Sequence, residues 1–75
     1  MKGKIYRIKY TLSNNKIEVF LGKRNKVINQ WEKQSLLTKE KIAKQLKIKD
    51  KGITLIEMNL YDWAGNLLAN KLFND

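Results

Sequence analysis

The chain reads as an α+β domain of order β-β-α-α-β-β, two antiparallel hairpins forming one sheet with helices on one face. Three observations predict this. Apolar residues alternate over 4–12, 16–22 and 53–61, and they switch to helical spacing between 25 and 47. The four glycines (Gly3, Gly22, Gly52, Gly65) fall between patterned segments, and proline is absent.

The elements follow in order. Residues 4–12 place Tyr6, Ile8, Tyr10 and Leu12 on one strand face and Ile5, Arg7, Lys9 and Thr11 on the other. Residues 16–22 oppose Ile17, Val19 and Leu21 to Glu18 and Phe20. Ser13-Asn14-Asn15 lies between, and asparagine tolerates the left-handed backbone of a tight hairpin. Over 25–34, Val27, Ile28 and Trp31 are spaced for a short helix, with Trp31 in the core.

A second helix is predicted over 38–47. Thr38 suits its N-cap, Glu40 suits the positive first turn, and Leu37 with Ile42 forms a hydrophobic staple. Ile42, Ala43 and Leu46 make its buried stripe, and Glu40 with Lys44 is an i,i+4 pair worth ~0.2–0.5 kcal/mol. After Gly52, the set Ile53, Leu55, Glu57, Asn59 and Tyr61 alternates with Thr54, Ile56, Met58 and Leu60, as in a strand. Asp62 to Asn66 is a turn with Gly65 at its tip, and Leu67 to Phe73 is the last strand.

With 75 residues the chain (1–75) is one small domain, burying ~60% of its unfolded surface. It has no cysteine and no histidine, so disulfides and the usual zinc and haem ligands are excluded, and no metal or cofactor is expected. Such composition fits a reducing compartment, and the expected location is cytoplasmic. The basic N-terminus alternates apolar and charged residues, and no run approaches the ~20 apolar residues of a membrane helix.

Catalysis is poorly supported. The most versatile acid–base and nucleophilic side chains are missing, and the seven carboxylates are scattered. Glu57 and Asp62 could face each other across a sheet, but two separate solvated carboxylates are expected. Gly22-Lys23 lacks the spacing of a phosphate loop. The chain is expected to be a non-enzyme.

Charge points to partners. Residues 1–51 carry fifteen Lys or Arg against four acids, a net of +11, whereas 52–75 carry one against three, a net of −2. Such a field attracts polyanions, of which nucleic acid is the commonest. Lys41, Lys44 and Lys47 fall opposite the apolar stripe of the second helix. Lys9, beside Arg7 on the first strand, and Lys23, Arg24 and Lys26 after the second strand form a further patch. Phosphate neutralisation needs spread charge more than geometric exactness, and lysine serves as a point charge. Tyr6 and Tyr10 share a strand face, as stacking residues do, but Ile8 and Leu12 on that face favour a core role. Trp63 lies inside a turn and is a candidate for partner contact.

Residues 38–48 (Thr-Lys-Glu-Lys-Ile-Ala-Lys-Gln-Leu-Lys-Ile) resemble the first helix and turn of a helix-turn-helix DNA-binding motif. Ile42, Ala43, Leu46, Ile48, Ile53 and Ile56 fall at its apolar positions. The resemblance implies a recognition helix at 51–58, where the alternation instead predicts a strand. Lys47 stands where that motif usually has glycine.

The leading expectation is a small non-catalytic nucleic-acid-binding module, for DNA or RNA, acting through the lysine-rich helix and the first hairpin. The alternative is a protein-interaction module, an accessory subunit or small inhibitor, that docks through an edge strand and Trp63 onto an acidic partner. Either is compatible with a homo-oligomer.

Overall fold

A computed structural model describes residues 3–73. Its elements are β1 (Ile5–Leu12), β2 (Ile17–Lys23), α1 (Arg24–Ser35), α2 (Lys39–Gln45), β3 (Leu55–Tyr61) and β4 (Leu67–Leu72). The order is β-β-α-α-β-β, as the periodicity predicts. All four strands join one antiparallel sheet of order β2-β1-β3-β4, so the two hairpins meet along the central pair.

One face of β1 organises the core. Ile8, Tyr10 and Leu12 are buried there, joined by Val27 of α1, Ile42 of α2 and Leu55, Met58 and Leu60 of β3. Tyr6, Phe20, Ile28, Trp31, Leu37 and Leu46 pack around this cluster. Tyr6 and Tyr10 are therefore core residues and not a stacking platform. α1 packs on β1 and β2, and α2 packs on β3. α1 approaches β2 closely at Gly22, where an added Cβ would lie 3.0 Å from Lys26 Cδ and 3.4 Å from Val27 Cγ2.

Pairing decides which side of β2 is buried. Ile8 faces Phe20, and Tyr10 faces Glu18, which puts Phe20 on the helix side. Ile17, Val19 and Leu21 consequently stay exposed on the helix-free face. The sheet also contains two irregularities. Thr11 pairs with Glu57 and Leu12 with Leu55, so Ile56 is an extra residue on β3. This bulge reverses the phase of the strand: Leu55 is buried with Met58 and Leu60, and Ile56 is exposed. The simple alternation read over 53–61 therefore holds only on one side of Ile56. Likewise Leu60 faces Ala69 and Tyr61 faces Leu67, leaving Leu68 extra on β4.

A buried polar chain ties helices to sheet. Tyr10, 0% exposed, donates its hydroxyl to Gln34 Oε1, and Gln34, 1% exposed, donates through Nε2 to Gln45 Oε1 at 3.0 Å. Burial pushes the Tyr10 hydroxyl up to about 12, with the Gln34 hydrogen bond acting weakly in the opposite direction. This link was not foreseeable from periodicity, because its two ends lie 24 residues apart.

Candidate nucleic-acid interface

α2 begins as its residues dictate. Thr38 is extended at the N-cap, and its Oγ1 accepts the Lys41 N–H at 3.2 Å; Glu40 lies in the first turn. Leu37 and Ile42 both reach the core, as the staple requires. The helix ends sooner than the 38–47 pattern predicts. Leu46 is its C-cap and Lys47 takes a left-handed backbone, φ +62°. Lys47 N–H donates to Lys44 C=O at 3.0 Å and Ile48 N–H donates to Ala43 C=O at 3.1 Å, the two bonds of a Schellman stop. Glycine is the usual residue at that position, and here a lysine holds it.

The stop turns the chain back along α2. Lys39, Lys44, Lys49 and Lys51 line a concavity of about 370 Å³ with an apolar floor of Ala43, Ile48 and Ile53. Glu40 and Asp50 are the acids on its wall. Asp50 has a local task, since its Oδ1 accepts the Gly52 N–H at 2.8 Å in the loop turn. Lys41 and Lys44 are exposed, as the helical spacing predicts, and Lys47 is exposed at the left-handed stop, off the helix. Periodicity does not mark Lys49 and Lys51. They follow the helix without a period, and only the reversal at Lys47 brings them beside Lys44.

Residues 51–58 do not form a recognition helix. Lys51 and Gly52 make a turn, and β3 begins at Leu55. The helix-turn-helix resemblance therefore ends at the turn. Ile53, Thr54 and Ile56 are β-branched, and pairing with β1 takes up the backbone hydrogen bonds that a helix would have used.

The remaining candidate cations do not join this surface. Lys9 is half-buried on the helix-free face of the sheet, between Val19 and Asn59. Lys23, Arg24 and Lys26 surround the start of α1, a helix of 12 residues, so ~18 Å of helix separates them from the approach to α2. Lys23 gives α1 no side-chain cap, and no acid sits in its first turn. Three cations thus crowd the positive end of a helix, an arrangement that disfavours them electrostatically. Lys26 Nζ lies 5.5 Å from the Phe20 ring centroid, covering that edge of the core.

Trp63 is 54% exposed in the turn between β3 and β4, with Lys4 Nζ 3.9 Å from its ring centroid. The turn is built by Asp62. Its Oδ1 accepts the N–H groups of Ala64 at 2.9 Å and Asn66 at 2.8 Å, and its Oδ2 accepts Asn66 Nδ2 at 3.0 Å. Hydrogen bonding from the Asn66 N–H, ahead of the other donors, holds the Asp62 carboxyl below the usual carboxylate range. Gly65, φ +86°, supplies the left-handed step. Glu57 accepts Asn70 Nδ2 at 2.7 Å near the other end of β3. Five residues of strand separate the two acids by ~16 Å, so they form no pair. Among the described residues, no three His, Cys, Asp or Glu side chains gather as they would around a metal ion, and no helix is long and apolar enough to cross a membrane.

Comparison with protein-family models, with curated proteins and with solved structures gave no match for this chain.

Proposed function

We propose that this chain is a non-catalytic nucleic-acid-binding module whose contact surface is α2 together with the loop that follows it. The observation that carries the reading is convergence: Lys44, Lys49 and Lys51 rim one concavity with Lys39, and Lys41 and Lys47 are exposed on the same short segment. Segment 39–51 holds six lysines against Glu40 and Asp50. Lysine ammonium groups on flexible stems match a phosphate backbone without demanding a particular base sequence, and each contact releases condensed counterions. Binding would therefore be broad in sequence and steep in salt dependence. Lys47 adds support, because a left-handed position that would suit glycine is held by a cation.

The test is a salt titration of binding to generic duplex and single-stranded DNA and RNA. Replacing Lys41, Lys44 and Lys47 with Gln should flatten the log–log salt slope by ~0.9 per lost contact on duplex DNA, ~2.7 in all. An unchanged slope in the folded triple variant would overturn the reading.

The exposure of Trp63 favours a second reading, a protein-interaction module docking on an acidic partner. A stoichiometric protein complex that survives high salt, with no nucleic-acid binding, would select it.

A further inference from the structure

The two edges of the sheet are unlike. β4 is blunted: it carries the Leu68 bulge and Lys71, both devices that discourage strand addition. β2 pairs with β1 in unbroken register from Ile17 to Lys23 and has no bulge, no proline and no lysine before its last residue. Leu12 N–H donates to Lys16 C=O, which sets the ladder. By alternation Glu18, Phe20 and Gly22 turn their backbone groups toward β1, and Ile17, Val19, Leu21 and Lys23 direct theirs away from the sheet. The same odd-numbered positions carry the exposed apolar side chains Ile17, Val19 and Leu21.

We infer that β2 is the seam of a symmetric homodimer, in which two copies pair antiparallel about Phe20 and join two four-stranded sheets into one. A two-fold interface must be self-complementary, and this register is. Val19 falls opposite the partner's Leu21, and Ile17 opposite the apolar stem of the partner's Lys23, so each gains an apolar cross-strand neighbour. Phe20 meets its own copy at the axis, an aromatic cross-strand pair. Glu18, the one acid on β2, falls opposite the partner's Gly22, which has no side chain. Lys26 lies over Gly22 in each copy, its Cδ 3.0 Å from where a Cβ would stand. Glu18 of each chain therefore meets the partner's Lys26 on the helix side, twice across the axis. This occupant explains an otherwise unblunted edge, and the inference does not depend on the nucleic-acid reading.

Sedimentation equilibrium on the full chain tests it. At tens of micromolar the wild type should have twice the 8.9 kDa chain mass. Lys26→Glu places an acid in the first turn of α1, where it favours the helix, so this variant should fold well. It should nevertheless weaken dimerisation by at least about tenfold, through two like-charge contacts. Glu18→Lys should do the same, and the double variant Glu18→Lys/Lys26→Glu should restore the dimer, with circular dichroism confirming the fold of each. A wild type that stays monomeric to ~1 mM overturns the inference. So does a dimer indifferent to both charge reversals, or one that the double variant fails to restore.

Discussion

Replacing Lys47 with Gly separates what this residue costs the fold from what it supplies to binding. At φ +62° a residue with a Cβ is strained. The left-handed backbone costs an L-residue ~1–2 kcal/mol, and glycine gives back ~0.5–1 kcal/mol through its freer unfolded chain. The Schellman hydrogen bonds from Lys47 and Ile48 are backbone bonds and survive the change. Lys47→Gly should therefore stabilise the domain by ~0.5–1 kcal/mol, raising the thermal midpoint by ~2–8 °C for a domain of this size. If Lys47 contacts phosphate, the same variant loses one released counterion on duplex DNA. A fourfold rise in salt would then reduce its affinity by a factor ~3.5 smaller than for wild type. Lys47→Ala is the control: it removes the charge but keeps the Cβ, so binding should fall as far and stability should not rise. Thermal unfolding by circular dichroism and fluorescence anisotropy at 50 and 200 mM salt read the two effects. A midpoint no higher in the glycine variant than in the alanine variant would refute the strain argument. A salt slope unchanged in both would remove Lys47 from the interface.

Three further outcomes concern Tyr10 and Trp63. Tyr10→Phe leaves the Gln34 amide oxygen buried without a donor, which should cost ~1–3 kcal/mol in urea unfolding, and Tyr10→Phe/Gln34→Leu should recover part of that loss because no orphaned group remains. The folded state holds the Tyr10 proton up to about pH 12 whereas the unfolded chain releases it near pH 10, so the stability it contributes is full below pH 10 and lost as pH rises toward 12. The denaturation midpoint of wild type should fall across that window by more than that of Tyr10→Phe. Trp63→Ala removes an exposed ring with the Lys4 ammonium over it, so its cost should be at most ~1 kcal/mol, well below the ~3–5 kcal/mol of a core tryptophan. A larger loss on urea unfolding would mean that Trp63 carries packing, and unaltered partner binding in the folded variant would end its docking role.

Local chemistry was enough to order the elements. The shift from period two to helical spacing, the asparagines of the first hairpin, the Thr38 cap with its Leu37–Ile42 staple and the Asp62 turn act within a few residues, so each is legible in the chain itself. Exposure of Lys41 and Lys44 was legible for the same reason, since they lie opposite a stripe that must be buried; Lys47 is exposed because the helix stops at it. Tertiary pairing decided the rest. β2 has apolar residues on both faces, and it is the match of Phe20 to Ile8 that buries one and leaves Ile17, Val19 and Leu21 open. The bulge at Ile56 arises from register with β1, which no property of residues 53–61 alone specifies. The Gln34–Tyr10 bond and the gathering of Lys49 and Lys51 beside Lys44 join residues through space that the chain reaches only after it reverses. Charge counted along a sequence has no direction; folding sent Lys9 to the sheet, Lys23 to Lys26 to the start of α1, Lys41 and Lys44 to α2 and Lys47 to the stop that ends it, because each side chain follows the place its own backbone hydrogen bonds impose.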